Sequence, residues 1–158
     1  MHTIPVGLTL LRKVFPVCAF VALLFCARPA SAALGGDASS IGTGQTHLLA
    51  SARIERTATH TMHELQAATG TKVREYLGND GKVFAVSWQG PFRPDLRQLF
   101  GSYYETYLKA AGSRVARGPV NIRLPGLVIH MSGHQRALYG RVYLADRVPQ
   151  GLSTDEIR

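Results

Sequence analysis

The side chains with the most suggestive chemistry are aromatic and basic residues near the end of the chain. Tyr139, Arg141 and Tyr143 alternate with apolar residues, as expected for a strand with one polar and one apolar side. Arg123 and His130 occupy the same polar phase in the two preceding predicted strands. Tyrosine rings and guanidinium groups on an exposed sheet face can bind sugars, acidic groups or another protein. These five residues form a predicted binding surface, although ordinary cross-strand pairs on a solvated face would show the same alternation.

The sequence evidence for catalysis is weaker than the evidence for a binding surface. His134 follows Ser132 and Gly133 directly, and adjacency in sequence does not place a histidine within hydrogen-bonding distance of a serine in the fold. A small envelope hydrolase that uses His134 with a carboxylate from elsewhere in the fold is an alternative function. We predict no catalytic residue set, and an enzyme is the less favoured interpretation.

One histidine cluster invites comparison with zinc sites. His60, His63 and Glu64 lie close together, but the HExxH motif requires a second histidine where this chain has Ala67. In a strand, His60 and His63 would also point to opposite faces. We therefore predict no metal site and no cofactor.

An antiparallel sheet packed on one helix would position the polar surface. Residues 83–88 alternate large side chains, Phe84, Val86 and Trp88, with small ones, which predicts a central strand with one bulky face. Apolar residues then recur three or four apart over residues 94–111, which predicts one amphipathic helix with Pro94 in the first position. We expect the bulky strand face to pack on this helix.

The remaining strands are predicted from alternation and from turns rich in glycine. They lie at residues 47–56, where a helix is the alternative, and at 59–67, 71–77, 120–124, 127–131 and 136–144. The predicted fold is α+β, an antiparallel sheet of about six strands in two meanders packed on the helix.

The first 32 residues are typical of a secretory signal. Arg12 and Lys13 precede an apolar run over residues 14–26, and the small residues before position 33 predict cleavage after Ala32. Both cysteines, Cys18 and Cys26, lie in the removed segment, so the predicted mature chain folds without a disulfide in the periplasm or outside the cell. After it we expect a flexible Gly/Ser-rich lead over 33–45, one domain over 46–148 and a frayed polar tail over 149–158.

The charge of the chain favours an acidic partner. The full sequence has a formal net charge of +8, and cleavage after residue 32 leaves 15 Lys and Arg against 10 Asp and Glu. Twelve of those cations are arginines, which suit forked contacts to carboxylates or phosphates. The expected partner is another envelope protein or an anionic or carbohydrate polymer. Export argues against a nucleic acid, and we expect no transmembrane anchor after cleavage.

Several distinct short motifs are distributed along nearly the whole predicted mature chain. They are Ala33-Leu34-Gly35-Gly36, Arg74-Glu75-Tyr76, Gly81-Lys82-Val83-Phe84-Ala85-Val86, Trp88, Gly90-Pro91-Phe92, Pro94-Asp95-Leu96-Arg97-Gln98-Leu99, Gly133-His134, Arg136-Ala137, Gly140-Arg141 and Pro149-Gln150-Gly151. In these motifs the chain resembles the domain of unknown function 2844 family, small exported proteins of Gram-negative bacteria. The resemblance implies export and a single domain, and it implies no activity or site residue.

The sequence therefore predicts an exported accessory or binding module. Its expected partner is acidic, a carbohydrate or a protein, bound through the Tyr/Arg sheet face. The alternatives are the hydrolase and a structural subunit that pairs through a sheet edge.

Overall fold

The chain forms one antiparallel sheet with a helix on one face, as the computed structural model shows for residues 33–37, 49–112 and 118–158. The strands are β1 Leu49–Arg56, β2 Thr61–Ala67, β3 Lys72–Leu77, β4 Val83–Gly90, β5 Val120–Leu124, β6 Leu127–His134 and β7 Ala137–Leu144. Within the described residues the seven strands lie in the order β1-β2-β3-β4-β7-β6-β5. The predicted α+β class is confirmed, and the described sheet has seven strands, one for each predicted range, against the stated total of about six.

The helical region lies between β4 and β5 and has three parts. They are α1 Leu96–Phe100, a 3₁₀ turn Gly101–Tyr103 and α2 Tyr104–Ala111. The Asp95 carboxylate accepts hydrogen bonds from the backbone N–H groups of Arg97 and Gln98, at 2.9 and 3.3 Å. Asp95 is therefore the N-cap, and Pro94 precedes the cap instead of occupying the first helical position.

The helix is interrupted at Gly101, where the segment of residues 33–37 passes. Gly101 has φ +53°, and a Cβ added there would lie 2.5 Å from the Cβ of Ala33. A side chain at this position would clash with the segment, and the positive φ also favours glycine. The break explains why one predicted helix appears as two short ones.

The largest apolar cluster lies between the helix and the sheet. Trp88 is 3 % exposed, and its ring centroid lies 6.0 Å from that of Phe100. Phe100 in turn contacts Tyr107 edge to face, with centroids 5.2 Å apart. The predicted packing of the central strand on the helix is confirmed for Trp88 and Val86.

A β-bulge changes the phase of β4. The register between β3 and β4 shifts within residues 83–85, so β4 carries one extra residue. Val83 consequently joins Val86 and Trp88 under the helix, whereas Phe84 packs in a second cluster on the opposite face. The predicted grouping of Phe84 with Val86 and Trp88 is wrong, because strict alternation fails at a bulge.

Residues 33–37 are packed, which corrects the prediction of a flexible lead for this part of residues 33–45. Leu34 is 2 % exposed and belongs to the cluster under the helix. Its N–H donates to the carbonyl of Leu99 at 3.0 Å, and the N–H of Gly35 donates to that of Val83 at 2.8 Å. The buried leucine and the backbone hydrogen bonds hold this short stretch against the helix and the sheet. Residues 38–45 lie outside the described residues.

Residues 148–158, here called the C-terminal segment, cross the sheet face opposite the helix. Ile157 is 0 % exposed and packs in the second cluster with Tyr76 and Phe84. The segment contains a 3₁₀ turn, Thr154–Glu156, closed by a capping box between Ser153 and Glu156. The predicted frayed tail is wrong, because the buried Ile157 and side-chain hydrogen bonds fix the segment.

The predicted signal segment, residues 1–32, lies outside the described residues. Within the described part of the chain, no helix has both the length and the apolar character needed to cross a bilayer.

Candidate functional site

A continuous row of polar side chains crosses the sheet on the face opposite the helix. Each residue pairs with the next one on the neighbouring strand, and cross-strand partners share a face. The row comprises Arg53, Glu64, Arg74, Ser87, Arg141, His130 and Asn121. Its two halves have different surroundings.

The half on β2 and β3 is closed by an ion pair. Arg74 Nε donates to Glu64 Oε2 at 2.7 Å, and this hydrogen bond is the main reason why the pKa of Glu64 is lowered. Arg74 Nη1 also donates to the carbonyl of Arg158 in the C-terminal segment. Arg74 is therefore paired with Glu64 and also links the sheet to the C-terminal segment.

The half on β7, β6 and β5 opens into a cleft of about 490 Å³. Three of its polar side chains, Arg141, His130 and Asn121, belong to this row. Three more belong to the neighbouring row of cross-strand partners on the same face, Gln89, Tyr139 and Ser132. Ile157 and Arg158 of the C-terminal segment line the cleft on another side. Arg141 and Arg158 are its charged residues, and its described lining includes no aspartate or glutamate.

Arg141 is fixed by the C-terminal segment. Its Nη1 donates to the carbonyl of Thr154 at 2.7 Å and lies 3.5 Å from Asp155 Oδ1. The side chain is 27 % exposed, so the guanidinium is partly shielded from solvent. Among the described residues, its Nε and Nη2 groups have no hydrogen-bond partner, and these donors remain for a ligand.

His130 is held as a neutral imidazole. Its Nδ1 lies 2.8 Å from Asn121 Oδ1, which can only accept, so Nδ1 carries the proton and Nε2 is left as an acceptor. Burial lowers the pKa of His130, and the charges of Arg141 and Arg123 lower it further. At neutral pH the ring therefore supplies a hydrogen-bond acceptor rather than a positive charge.

Tyr139 provides the exposed aromatic ring of the cleft. It lies on β7 between Gln89 on β4 and Ser132 on β6, its two cross-strand partners. It is 55 % exposed and belongs to neither apolar cluster of the described residues. The ring can therefore present a flat apolar face next to polar groups.

The five predicted binding residues share one face of the sheet, but the structure separates their surroundings. His130, Tyr139 and Arg141 line the cleft. Tyr143 is half-buried against the second cluster, and Arg123 is exposed on the edge strand β5 outside the lining. The sequence predicts a solvent-exposed face for the five residues. That expectation is wrong near Arg141 and Tyr143, because the C-terminal segment covers this part of the sheet. A role in binding stays a prediction for all five.

Sequence reasoning missed several lining residues. Gln89, Asn121 and Ser132 occupy the polar phase of β4, β5 and β6, and extending the alternation to those strands would have found them. Ile157 and Arg158 gave no comparable signal, because they reach the cleft only when the C-terminal segment folds back across the sheet.

The histidine proposed for hydrolysis has no acidic partner in the described part of the chain. His134 is exposed at the end of β6, and its Nδ1 lies 3.4 Å from the backbone carbonyl of Gln135. No described aspartate or glutamate forms a hydrogen bond or ion pair with it. Nor do the described residues include a group of three His, Cys, Asp or Glu placed to hold a metal ion.

Comparison with known proteins gives a family and no activity. A family model described as "Protein of unknown function (DUF2844)" matches residues 30–157, a range that includes every described strand and helix. No curated protein and no solved structure matches the chain.

Proposed function

We propose that this chain, which belongs to the DUF2844 family of proteins of unknown function, is a binding protein that holds a saccharide in its cleft. The observation that carries the proposal is the exposed ring of Tyr139 beside the fixed polar groups of His130 and Arg141. The pattern of residues 12–32 supports export, so the proposed place of action is the periplasm or the cell exterior.

The chemistry of the cleft suits a hydroxyl-rich ligand. Arg141 offers donors, His130 Nε2 offers an acceptor, and the Gln89 amide and Ser132 hydroxyl can act as either. The ring of Tyr139 can cover the less polar face of a sugar. These groups would match a ligand that alternates hydroxyl groups with a flat apolar surface.

The size of the cleft favours a small ligand over a protein surface. Its volume of about 490 Å³ lies within the ~300–1,000 Å³ typical of small-molecule sites. A protein partner would instead be expected to cover a broad patch of roughly 800 Å² on this chain. A few sugar units would fit the cleft, and a longer polymer could extend beyond it.

Binding to a panel of neutral and acidic oligosaccharides would test the proposal. Tyr139→Ala should weaken the best binder about fivefold or more, since one aromatic contact contributes roughly 1 kcal/mol. Phe92→Ala is the matched control, because Phe92 is 59 % exposed and lies outside the cleft lining. Absence of saccharide binding up to millimolar concentrations, or an equal effect of both variants, would refute the proposal.

A second candidate is pairing through a sheet edge. β1 is an edge strand of eight residues, and Ile54 on it is 51 % exposed. Long edge strands are templates for adding a strand from another chain. Light scattering after size exclusion would show a concentration-dependent dimer that Ile54→Lys abolishes, and a monomer at all concentrations would exclude self-pairing.

A further inference from the structure

We propose that the ligand of the cleft is an acidic sugar and that Arg141 receives its carboxylate. This inference rests on the proposed saccharide-binding function and narrows it to one chemical class, the uronic acids.

The charge of the cleft is unbalanced in favour of an anion. Arg141 and Arg158 line it, and no aspartate or glutamate does so among the described residues. Asp155 lies near Arg141, but its side chain is 88 % exposed and 3.5 Å away, so solvent screens most of its effect. A negatively charged ligand would add a counter-charge inside the cleft, where the described lining has no acidic side chain.

The orientation of Arg141 suits a planar anion. Because the carbonyl of Thr154 holds Nη1, the plane of the guanidinium is set before a ligand arrives. Its remaining N–H groups form a fork that matches the two oxygens of a carboxylate. At 27 % exposure the interaction is stronger than one with a freely solvated arginine.

His130 restricts the kind of anion. The positive charges of Arg141 and Arg123 help to keep the imidazole of His130 neutral. His130 therefore adds no positive charge to those of Arg141 and Arg158 in the cleft, whereas a densely charged polymer would require more. Its free Nε2 requires a donor, such as a sugar hydroxyl. A ligand with one carboxylate and neighbouring hydroxyl groups satisfies both residues, whereas a polyphosphate offers no donor to His130.

Calorimetric titration with matched oligosaccharides would test the inference. The probes are trisaccharides of galacturonate, glucuronate and mannuronate, each beside its carboxyl-reduced analogue, together with a sulfated trisaccharide. The purified protein should bind at least one uronate about tenfold or more tightly than its reduced analogue, since charge-assisted hydrogen bonds are lost on reduction. The preference should shrink as salt is raised.

Two variants separate charge recognition from folding. Arg141→Gln should reduce the preference for the uronate to about one, whereas Arg74→Gln should retain it. Arg74 is the control because it also donates to a carbonyl of the C-terminal segment but lies outside the cleft lining. Tyr139→Ala should weaken binding of the uronate and of the reduced analogue by similar factors.

The outcomes distinguish the two proposals. Equal binding of uronate and reduced analogue would overturn the assignment of an acidic sugar and leave saccharide binding intact. Preference for the sulfated probe would overturn the carboxylate assignment, as would an Arg74→Gln effect equal to that of Arg141→Gln. Failure of every probe to bind would refute both proposals.

Discussion

The two faces of the sheet are covered by different means. One lies under α1 and α2, with a large apolar cluster that includes Trp88, Phe100 and Tyr107. The other lies under the C-terminal segment, which buries mainly Ile157 among Tyr76 and Phe84. On this second face, side chains also donate to backbone carbonyls of the segment.

Because of this difference, we expect the two faces to have different roles, one in the stability of the fold and the other in ligand binding. Apolar area closes the centre of the helix-covered face, because large side chains of the helix and the sheet meet there. The C-terminal segment is narrow and covers only part of the polar row, so Arg141 and His130 remain open to the cleft. We expect the helix-covered face to dominate the free energy of unfolding and the segment-covered face to shape the site.

The largest effect on stability is expected at Trp88. Trp88→Ala should lower the free energy of unfolding by roughly 3–5 kcal/mol, because it removes a large side chain that is 3 % exposed and leaves a cavity against Phe100. Urea titration would measure the loss. Phe92→Ala, at an exposed position, should change it by less than about 0.5 kcal/mol. A Trp88→Ala loss under about 1 kcal/mol would contradict the packing described.

Glu75 makes the helix-covered face sensitive to pH. Burial raises the pKa of Glu75 from its ordinary 4.5 to about 7, and its Oε2 has no hydrogen-bond partner. The folded state therefore favours the protonated carboxyl. This contribution is fully present below pH 4.5 and is lost as pH rises through about 7, by roughly 3 kcal/mol in total.

Glu75→Gln tests this pH dependence. The variant should lack the loss between pH 4.5 and 7 and should be more stable than the original chain at pH 8. His63, the cross-strand partner of Glu75, has a pKa lowered by burial. Protonation of His63 therefore lowers the free energy of unfolding as pH falls, which is the opposite direction to the effect of Glu75. The difference between the two proteins at each pH isolates Glu75, and parallel curves from urea titrations would argue against a buried carboxyl.

A smaller loss is expected at Ile157 on the segment-covered face. Ile157→Ala should cost about 2 kcal/mol, near the low end for buried isoleucine, because local undocking of the segment limits the penalty. Ile157→Val should cost roughly 1 kcal/mol or less. Hydrogen exchange should show faster exchange in residues 153–158 with little change in β4. A loss as large as that of Trp88→Ala would remove the contrast between the faces.

The smallest expected effect concerns one hydroxyl. The Tyr76 hydroxyl accepts from the N–H of Arg158 at 3.2 Å and donates to its carbonyl at 3.1 Å. Tyr76→Phe should cost about 1 kcal/mol and loosen the end of the segment while retaining the ring in the second cluster. Thermal unfolding and exchange of the Arg158 amide would measure both effects, and an unchanged exchange rate would contradict this anchoring.

The sequence predicts the helix-covered face well because that face is built from long periodic patterns. The burial of Leu96, Leu99, Phe100 and Tyr107 on the helix and of Trp88 on β4 follows from spacing alone. Phe84 escapes the same reasoning, since a single extra residue in β4 reverses its face without any mark in the alternation.

The segment-covered face is predicted less well because its contacts are few and distant in sequence. Ile157 is a single apolar residue in polar surroundings, so it has no period to detect. The face of Tyr139, Arg141 and Tyr143 follows from alternation, but the cover over Tyr143 depends on how the last residues fold back. Alternation predicts where a side chain points and not what lies above it.

Nuclear Overhauser measurements on the methyl groups of Ile157 test the central claim most directly. If the C-terminal segment covers the second face, these methyls should show contacts to the ring protons of Tyr76 and Phe84, and nearby rings should shift their resonances upfield. Ile157 methyls at random-coil positions, without contacts to either ring, would contradict both the cover over this face and the wall it gives the cleft.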